Sequence, residues 1–233
     1  MIDNFEHQTV KIKGLTIPTM EDEMQISTLE DFIVYCARVS NPESQIKNLN
    51  NERLLNYLIR NKHWSPFEMA SITMEISTTR DIARQILRHR SFSFQEFSQR
   101  YAAVDDGGFV HREARAQDTK NRQNSIEYTD NMEIFWWHDK QDEVLEHIKE
   151  NYYAALEKGI AKEQARAILP EGLTLSRMYM QGSVRSWVHY CDLRCGNGTQ
   201  KEHQDIANKA RDCLIEELPS LEGYFNEQQR NTS

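Results

Sequence analysis

The sequence lacks a long hydrophobic run. None of its 233 residues lie in a stretch that approaches the roughly 18 consecutive apolar residues of a membrane-spanning helix. Its first residues, MIDNFEHQTVKIKG, also lack the apolar segment of a secretory signal. These absences predict a cytoplasmic protein with no membrane partner.

Cysteine is scarce, and the spacing of the cysteines predicts no disulfide framework. The chain has 4 cysteines, which suits a reducing compartment. Cys191 and Cys195 are close in sequence to His189 and His203, which raises the question of zinc. The spacing matches no familiar zinc motif, and Cys191 lies on an apolar helical stripe. We therefore expect buried thiols and no metal site.

Net positive charge is also missing. The formal net charge of −8 disfavours a general nucleic-acid partner, because contacts to phosphates dominate that kind of affinity. Against this background, residues 80–100 contain several arginines, no lysine, and only Asp81 and Glu96 as acids. A local arginine field in an acidic protein favours a small anionic ligand, which arginine can bind in a bidentate manner.

No internal repeat or low-complexity linker divides the chain, so we expect one domain over residues 1–233. Its composition, with 39% hydrophobic and 27% charged residues, is typical of a soluble globular protein. The predicted elements are a strand over 8–18, helices over 28–38 and 49–60, an irregular and partly mobile segment over 102–125, a mostly helical region over 125–168, and a last helix from about Thr199 to Leu218.

Two neighbouring segments show clear periodicity. Ile72, Met74 and Ile76 alternate with polar residues, which predicts a half-buried strand. Residues 81–88 then follow a helical period, with Gln85 and Arg88 adjacent on the polar side. That polar side could be a plain solvated surface or part of a binding site.

A second unit, near the C-terminus, predicts a strand followed by a helix. Residues 173–180 are extended in pattern, Gly182 is expected to permit a turn, and Ser183 is a plausible N-cap. A core stripe over residues 184–191 follows. A capped helix N-terminus suits a polar or anionic ligand, although such a unit is often only architecture.

The segment from Arg88 to Tyr101 combines arginines and a histidine with alternating phenylalanines. The phenylalanines argue against a fully exposed basic loop. Polar groups held near a core need partners, which an anion or a polar ring system could supply. Arginines interleaved with aromatic residues also suit stacked nucleic-acid bases.

Four short motifs give the chain a family resemblance. Arg88-His89-Arg90 is followed, after seven residues, by Ser98. The other motifs are His63–Glu68 (HWSPFE), Ala165–Pro170 (ARAILP), and the pairs Arg185-Ser186 and Leu193-Arg194. In this order, over roughly residues 60–210, the chain resembles the flavin-dependent thymidylate synthases.

The resemblance implies an activity and a fold. Such enzymes transfer a one-carbon unit from 5,10-methylenetetrahydrofolate to C5 of dUMP, with hydride supplied by FAD that NADPH has reduced. The implied fold is α/β, of the α+β type: a single domain with a central, mostly antiparallel sheet flanked by helices. The family's homotetramers place active sites between subunits, so the implied partners are dUMP, folate and other copies of the chain.

The resemblance also carries residue roles. Arg194 is the implied catalytic residue, because a guanidinium at the uracil edge favours ionisation there. Ser98 is expected to position a ligand rather than to attack it. The implied dUMP site comprises Gln85, Arg88, Glu96, Phe97, Ser98, Gln99, Arg100, Arg166 and Arg194. The implied FAD site comprises Ser65, Arg88, His89, Arg90, Glu96, Ser183, Val184, Arg185 and His189.

Some positions depart from the usual family residues. Met69, Gln95, Gln99 and His189 stand where the family often has histidine, asparagine, glycine and asparagine, respectively. These departures leave individual contacts open. Two other functions also stay open: a related pyrimidine nucleotide hydroxymethylase or one-carbon transferase, and a nucleic-acid-binding module.

Overall fold

The computed structural model describes residues 6–19, 26–47, 50–104, 108–128, 130–196 and 198–232. These residues form a single α/β domain in which helices flank an antiparallel sheet. Within the described ranges, no helix is both long and apolar enough to cross a membrane.

The main sheet has four strands, β1 (Thr9–Leu15), β2 (Ser71–Thr79), β3 (Ser93–Glu96) and β6 (Leu175–Ser183). Their order is β1-β2-β6-β3, and each neighbouring pair is antiparallel. A separate hairpin joins β4 (Arg115–Gln117) to β5 (Ser125–Glu127).

Nine α-helices lie in the described part of the chain. They are α1 (Leu29–Ala37), α2 (Pro42–Lys47), α3 (Asn51–Arg60), α4 (Arg80–Ile86), α5 (Asn131–Glu157), α6 (Lys162–Ala165), α7 (Val184–Arg194), α8 (Lys201–Glu217) and α9 (Glu222–Thr232). Short 3₁₀ helices occupy Ser65–Glu68, Arg166–Ile168 and Pro219–Leu221.

The alternation predicted for β2 is confirmed. Ile72, Met74 and Ile76 are fully buried and face a core to which α4, α7 and α8 contribute. Trp187 of α7 lies in the same core, where its indole Nε1 donates to the carbonyl of Ile72 at 3.0 Å. Thr28 caps α1, since its side chain accepts a hydrogen bond from the backbone N–H of Asp31.

The helix expected over residues 81–88 is shorter than predicted. It runs from Arg80 to Ile86, and His89 N donates to Ile86 O in a tight turn. Arg88 therefore lies beyond the helix end, while Gln85 lies on the helix as expected. The chain turns here because Phe92, which is buried, must enter the core before β3 begins.

Gly182 does not form the turn that the sequence predicts. It lies within β6, paired with Ile72, and the chain passes directly from this strand into α7. A Cβ atom at position 182 would lie 2.5 Å from Cδ1 of Phe92, so glycine allows close packing rather than a bend. The predicted N-cap is confirmed, because Ser183 Oγ accepts from Ser186 N.

Other differences involve elements with weak local patterns. Residues 93–96, for which the sequence predicts no strand, form an edge strand because β6 offers a pairing edge. Residues 125–127 form a strand rather than the start of a helical region. The helix expected to be last is followed by α9. Within 102–125 the described residues are irregular except for β4 and the start of β5, and the predicted mobility there stays a prediction.

The long helix α5 is packed at its C-terminal end. Its 27 residues span about 40 Å. Tyr152 is fully buried in a small second core with Val104, Ala165 and Leu169. This core holds the segment after β3 against α6 and the 3₁₀ helix that follows it.

Candidate active site

The predicted site residues lie at two ends of the main sheet. At one end β6 meets α7 and β2 begins; we call it the α7 end. At the other end β3 gives way to residues 97–101; we call it the loop end. The strand β3, which has four residues and spans about 13 Å, separates the two ends.

At the α7 end, Glu68 binds the two polar side chains at the start of α7. Glu68 accepts a hydrogen bond from Ser183 Oγ at 2.5 Å and from the guanidinium of Arg185 at 2.8 Å. Ser186 Oγ donates to the carbonyl of Ser91 at 3.4 Å, which ties α7 to the turn before β3. A cleft of about 360 Å³ opens here, lined by Trp64, Glu68, Ser91, Arg185, Ser186, His189 and Asp192.

Next to this cleft, an imidazole holds the arginine to which the resemblance gives a catalytic role. Arg194 Nε donates to His89 Nε2 at 3.1 Å. The pKa of His89 is lowered to about 4 by burial and by the nearby Arg194 guanidinium. His89 is therefore neutral at pH 7 and can accept this hydrogen bond, which fixes the direction of the Arg194 side chain.

A second histidine orients Gln85. His203 is fully buried, and its Nδ1 lies 3.2 Å from Gln85 Oε1 while its Nε2 lies 3.1 Å from the Tyr190 hydroxyl. Because an amide oxygen can only accept, the proton belongs on Nδ1, and Tyr190 donates to Nε2. The pKa of His203 is lowered to about 3, first by burial and then by the Arg194 guanidinium. The Gln85 amide nitrogen donates onward to Gln200 Oε1 at 2.7 Å.

The α7 end also contains two arginines whose charge is not neutralised locally. Arg88 and Arg90 are exposed, and neither forms an ion pair with any residue that the structure describes. By contrast, Arg80 and Arg84 pair with Glu171. The arginine field inferred from the sequence is thus partly structural and partly available to an anion.

At the loop end, the carboxylate of Glu96 contacts two side chains of the same subunit. It accepts from Ser176 Oγ at 2.8 Å and lies 3.8 Å from a guanidinium nitrogen of Arg80. Phe97 N donates to Arg177 O at 2.8 Å, and Ser98 Oγ accepts weakly from Arg100 N at 3.4 Å.

The loop end also brings Arg100 and Arg166 to the same region. Arg100 pairs with Glu163 at 3.4 Å, and Arg166 begins the 3₁₀ helix directly after α6. Gln99 between these groups is only 2% exposed, and its Nε2 has no hydrogen-bond partner in the described part of the molecule. A buried amide donor of this kind is satisfied when a ligand or a partner group completes the site.

The structure therefore separates the predicted dUMP residues into two sets. Gln85, Arg88 and Arg194 lie at the α7 end. Glu96, Phe97, Ser98, Gln99, Arg100 and Arg166 lie at the loop end. The described lining of the cleft at the α7 end contains no residue of the loop-end set.

Of the predicted FAD residues, most lie at the α7 end, but two need comment. Val184 is fully buried and its N–H donates to Ala70 O, so its side chain supports the turn instead of facing a ligand. Glu96 lies at the loop end, apart from the others. Ser65, Arg185 and His189 are exposed around the cleft, next to the exposed Met69.

Comparison with known proteins decides the family. Residues 24–220 match the family model described as thymidylate synthase complementing protein. A probable flavin-dependent thymidylate synthase of Paramecium bursaria Chlorella virus 1 is 50% identical over 213 residues, which are 91% of this chain and 96% of the relative. The chain belongs to the flavin-dependent thymidylate synthase family. It is therefore a methyltransferase with a flavin cofactor.

Two further comparisons support the same family. The flavin-dependent thymidylate synthase of Synechocystis sp. is 49% identical over 212 residues, again 91% of this chain and 96% of the relative. A crystal structure of the UMP/dUMP methylase PolB from Streptomyces cacaoi, bound with 5-Br dUMP, superposes with a TM-score of 0.78 at 25% identity and covers 97% of both chains.

Some residues of the site were missed by the sequence motifs. Glu68 belongs to the HWSPFE motif but received no role, although it holds both Ser183 and Arg185. His203 and Tyr190 lie far from Gln85 in sequence, and no local signal links them to it. The sequence singles out His203 only as a neighbour of cysteines. All four cysteines are free, and of the two near His203 only Cys191 is buried as expected, because Cys195 is half-buried.

Proposed function

We propose that the protein reductively methylates dUMP to dTMP, with 5,10-methylenetetrahydrofolate as the one-carbon donor and NADPH as the source of reducing equivalents. The observation that carries the proposal is the Arg194–His89 contact, next to two arginines without local ion pairs among the described residues. A fixed guanidinium near free positive charge suits a nucleotide whose ring becomes negative during reaction.

The α7 end has the donor chemistry for part of an FAD molecule. The cleft there offers hydroxyl, guanidinium and imidazole groups together with the Trp64 ring. Arg185 is already neutralised by Glu68, so Arg88 and Arg90 are the better candidates for the diphosphate. When bound, the flavin supplies hydride to the reaction. A cleft of about 360 Å³ holds only a portion of FAD, which supports completion of the site by another subunit.

The residues of the chain have separate tasks in this proposal. Arg194 favours negative charge on the uracil edge, and the neutral His89 keeps it in place. Gln85, oriented by His203, presents its amide beside it. At the loop end, Arg166 binds the phosphate, and Arg100 joins it by exchanging its exposed ion pair with Glu163 for the dianion.

Ser98 fits a positioning role. A serine nucleophile needs a base within hydrogen-bond reach. Ser98 Oγ instead accepts from the backbone N–H of Arg100, and no histidine or carboxylate in the described part of the chain bonds to it. Together with Gln99, it is placed to orient the phosphate or ribose.

The separation of the two sets supports a homotetramer with active sites between subunits. Since β3 lies between the sets, and no hydrogen bond or ion pair among the described residues joins them, a site that takes one set from each of two chains is favoured. The buried but unsatisfied Gln99 amide is consistent with a surface completed in this way.

The test is to purify the protein, record its absorption spectrum with and without dUMP, and determine the product by mass spectrometry. We expect an oxidised flavin spectrum that dUMP perturbs, and dTMP formation that requires the folate donor and NADPH. A hydroxymethylated product would favour the related transferase. A protein without flavin that binds oligonucleotides in a salt-dependent manner would contradict the proposal.

A further inference from the structure

Outside the proposed site, the side chains of His111, His138 and Asp142 lie close together beside α5. Asp142 Oδ1 lies 2.8 Å from His111 Nε2, and Asp142 Oδ2 lies 3.1 Å from His138 Nδ1. The two imidazole rings are stacked, with centroids 4.1 Å apart and planes at 17°. One ligand atom from each of the three residues lies within 4.8 Å of the other two.

These side chains come from two elements that are fastened together. His138 and Asp142 are one turn apart on α5 and so share a face. His111 lies on the segment beside it, between two anchored neighbours. Val110 N donates to Leu173 O at 2.9 Å, and Arg112 exchanges two hydrogen bonds with Gln141 at 2.6 and 3.0 Å. The cluster is therefore held by the backbone as well as by its own contacts.

The spacing of the ligand atoms approaches that of a coordination shell. Metal–nitrogen and metal–oxygen bonds of about 2.1 Å place adjacent ligands about 3.0 Å apart in an octahedron and about 3.4 Å apart in a tetrahedron. The two contacts to Asp142 already have lengths near these values. These contacts involve both carboxylate oxygens, and because one ligand atom from each residue lies within 4.8 Å of the others, small side-chain rotations bring all three residues to one ion.

We propose that His111, His138 and Asp142 bind a divalent first-row transition metal ion, for which Zn²⁺ is the probe. Two imidazoles and one carboxylate select such ions over Mg²⁺ and Ca²⁺, which prefer oxygen ligands throughout. The adjacent cavity of about 580 Å³, lined by both histidines, leaves room for water on the ion.

The site is independent of the proposed reaction, since none of its three residues contacts the residues assigned to dUMP or FAD. Its role is to fasten the segment around His111 to α5. That segment continues into Arg112 and Arg115, which pair with the buried Glu202 of α8 at 3.2 and 2.5 Å. The metal thus reinforces a connection between α5 and the main core.

The test is calorimetric titration of the full-length, chelator-treated protein with Zn²⁺, followed by thermal unfolding with and without the ion. We expect one ion per chain and a raised Tm. His138→Ala and Asp142→Asn should each weaken binding at least about tenfold and remove the Tm shift. His147→Ala is the matched control, because His147 is exposed on the same helix and lies outside the cluster; it should bind as the unchanged protein does.

Equal Zn²⁺ affinity in the unchanged protein and in both cluster variants would overturn the proposal. So would binding that disappears only when the thiols are blocked, because the four free cysteines would then be the ligands. Circular dichroism of each variant confirms that a loss of binding does not come from unfolding.

Discussion

Position 182 is glycine because the ring of Phe92 leaves no room for a side chain there. The ring of Phe92 packs directly against the backbone of β6, so that a Cβ atom at Gly182 would meet ring carbons at 2.5 and 2.7 Å. Phe92 in turn packs edge-on against Trp187 at 4.8 Å between centroids. The ring is thus held from both sides and has little room to yield.

Gly182→Ala should therefore destabilise the protein by about 1–3 kcal/mol, the usual cost of overpacking a core. Urea denaturation measures the free energy of unfolding. Gly196→Ala is the control, because a Cβ atom at position 196 would meet no heavy atom of the described residues within 4 Å and the change should be close to neutral. Equal unfolding midpoints for the two variants would show that Phe92 can move aside without cost.

At this scale the sequence motifs predicted which residue types matter but not their surroundings. Short motifs single out Arg194 and His89 as candidate site residues, and their roles stay predictions. The hydrogen bond between them could not, because it joins positions 105 residues apart. The burial of Val184 and the unsatisfied amide of Gln99 likewise depend on tertiary packing, which no local pattern records.

Among the helices, α4, α7 and α8 share a network that depends on neutral histidines. His89, in the turn after α4, accepts from Arg194 of α7, and His203 of α8 bridges Gln85 and Tyr190. In the unfolded chain both histidines bind a proton as the pH falls through about 6.5. In the folded protein they resist protonation until the pH approaches about 4 and about 3, respectively.

The sign of the pH dependence follows from these lowered pKa values. The stabilising contribution is fully present above the unfolded pKa, and it is lost as the pH falls from about 6.5 towards the folded values. The free energy of unfolding should therefore decrease between pH 7 and pH 5. Urea denaturation across this range should give a shallower slope for His203→Gln than for His147→Ala, whose histidine is exposed. The same slope in both variants would mean that His203 does not titrate in this way.

Local pattern was a reliable guide to some elements and not to others. The strict alternation in β2 arises from residues whose own side chains face the core, so it is visible in the sequence. The edge strand β3 has only four residues and exists because β6 pairs with it. The helix α9 was not predicted because few of its residues are buried, and Phe225 is its main core contact.

Over the whole molecule, the sheet places the two parts of the proposed nucleotide site at opposite ends. The family assignment and the antiparallel α/β fold were predictable, since they depend on motifs and patterns within one chain. The way in which the arginines bind a ligand could not be predicted from one chain. The described contacts leave Arg88 at one end of the sheet and Arg166 at the other. We therefore expect two subunits to complete each active site.

Mixing two inactive variants tests this expectation most directly. Arg166→Ala should bind dUMP more weakly by roughly 2–5 kcal/mol, Arg88→Ala should bind flavin more weakly because it loses a candidate group for the diphosphate, and each should lose most activity. If they are co-refolded or co-expressed in equal amounts, random assortment restores an intact site in about one quarter of cases, because each site takes one set from each of two chains. A mixture of Arg88→Ala with Arg194→Ala, both at the α7 end, should recover nothing.

The measurement is the rate of dTMP formation by the mixed Arg88→Ala and Arg166→Ala sample, compared with each variant alone. We expect recovery towards about one quarter of the unmodified activity. No recovery, in mixed oligomers shown by native mass spectrometry to contain both variants, would contradict a site shared between subunits.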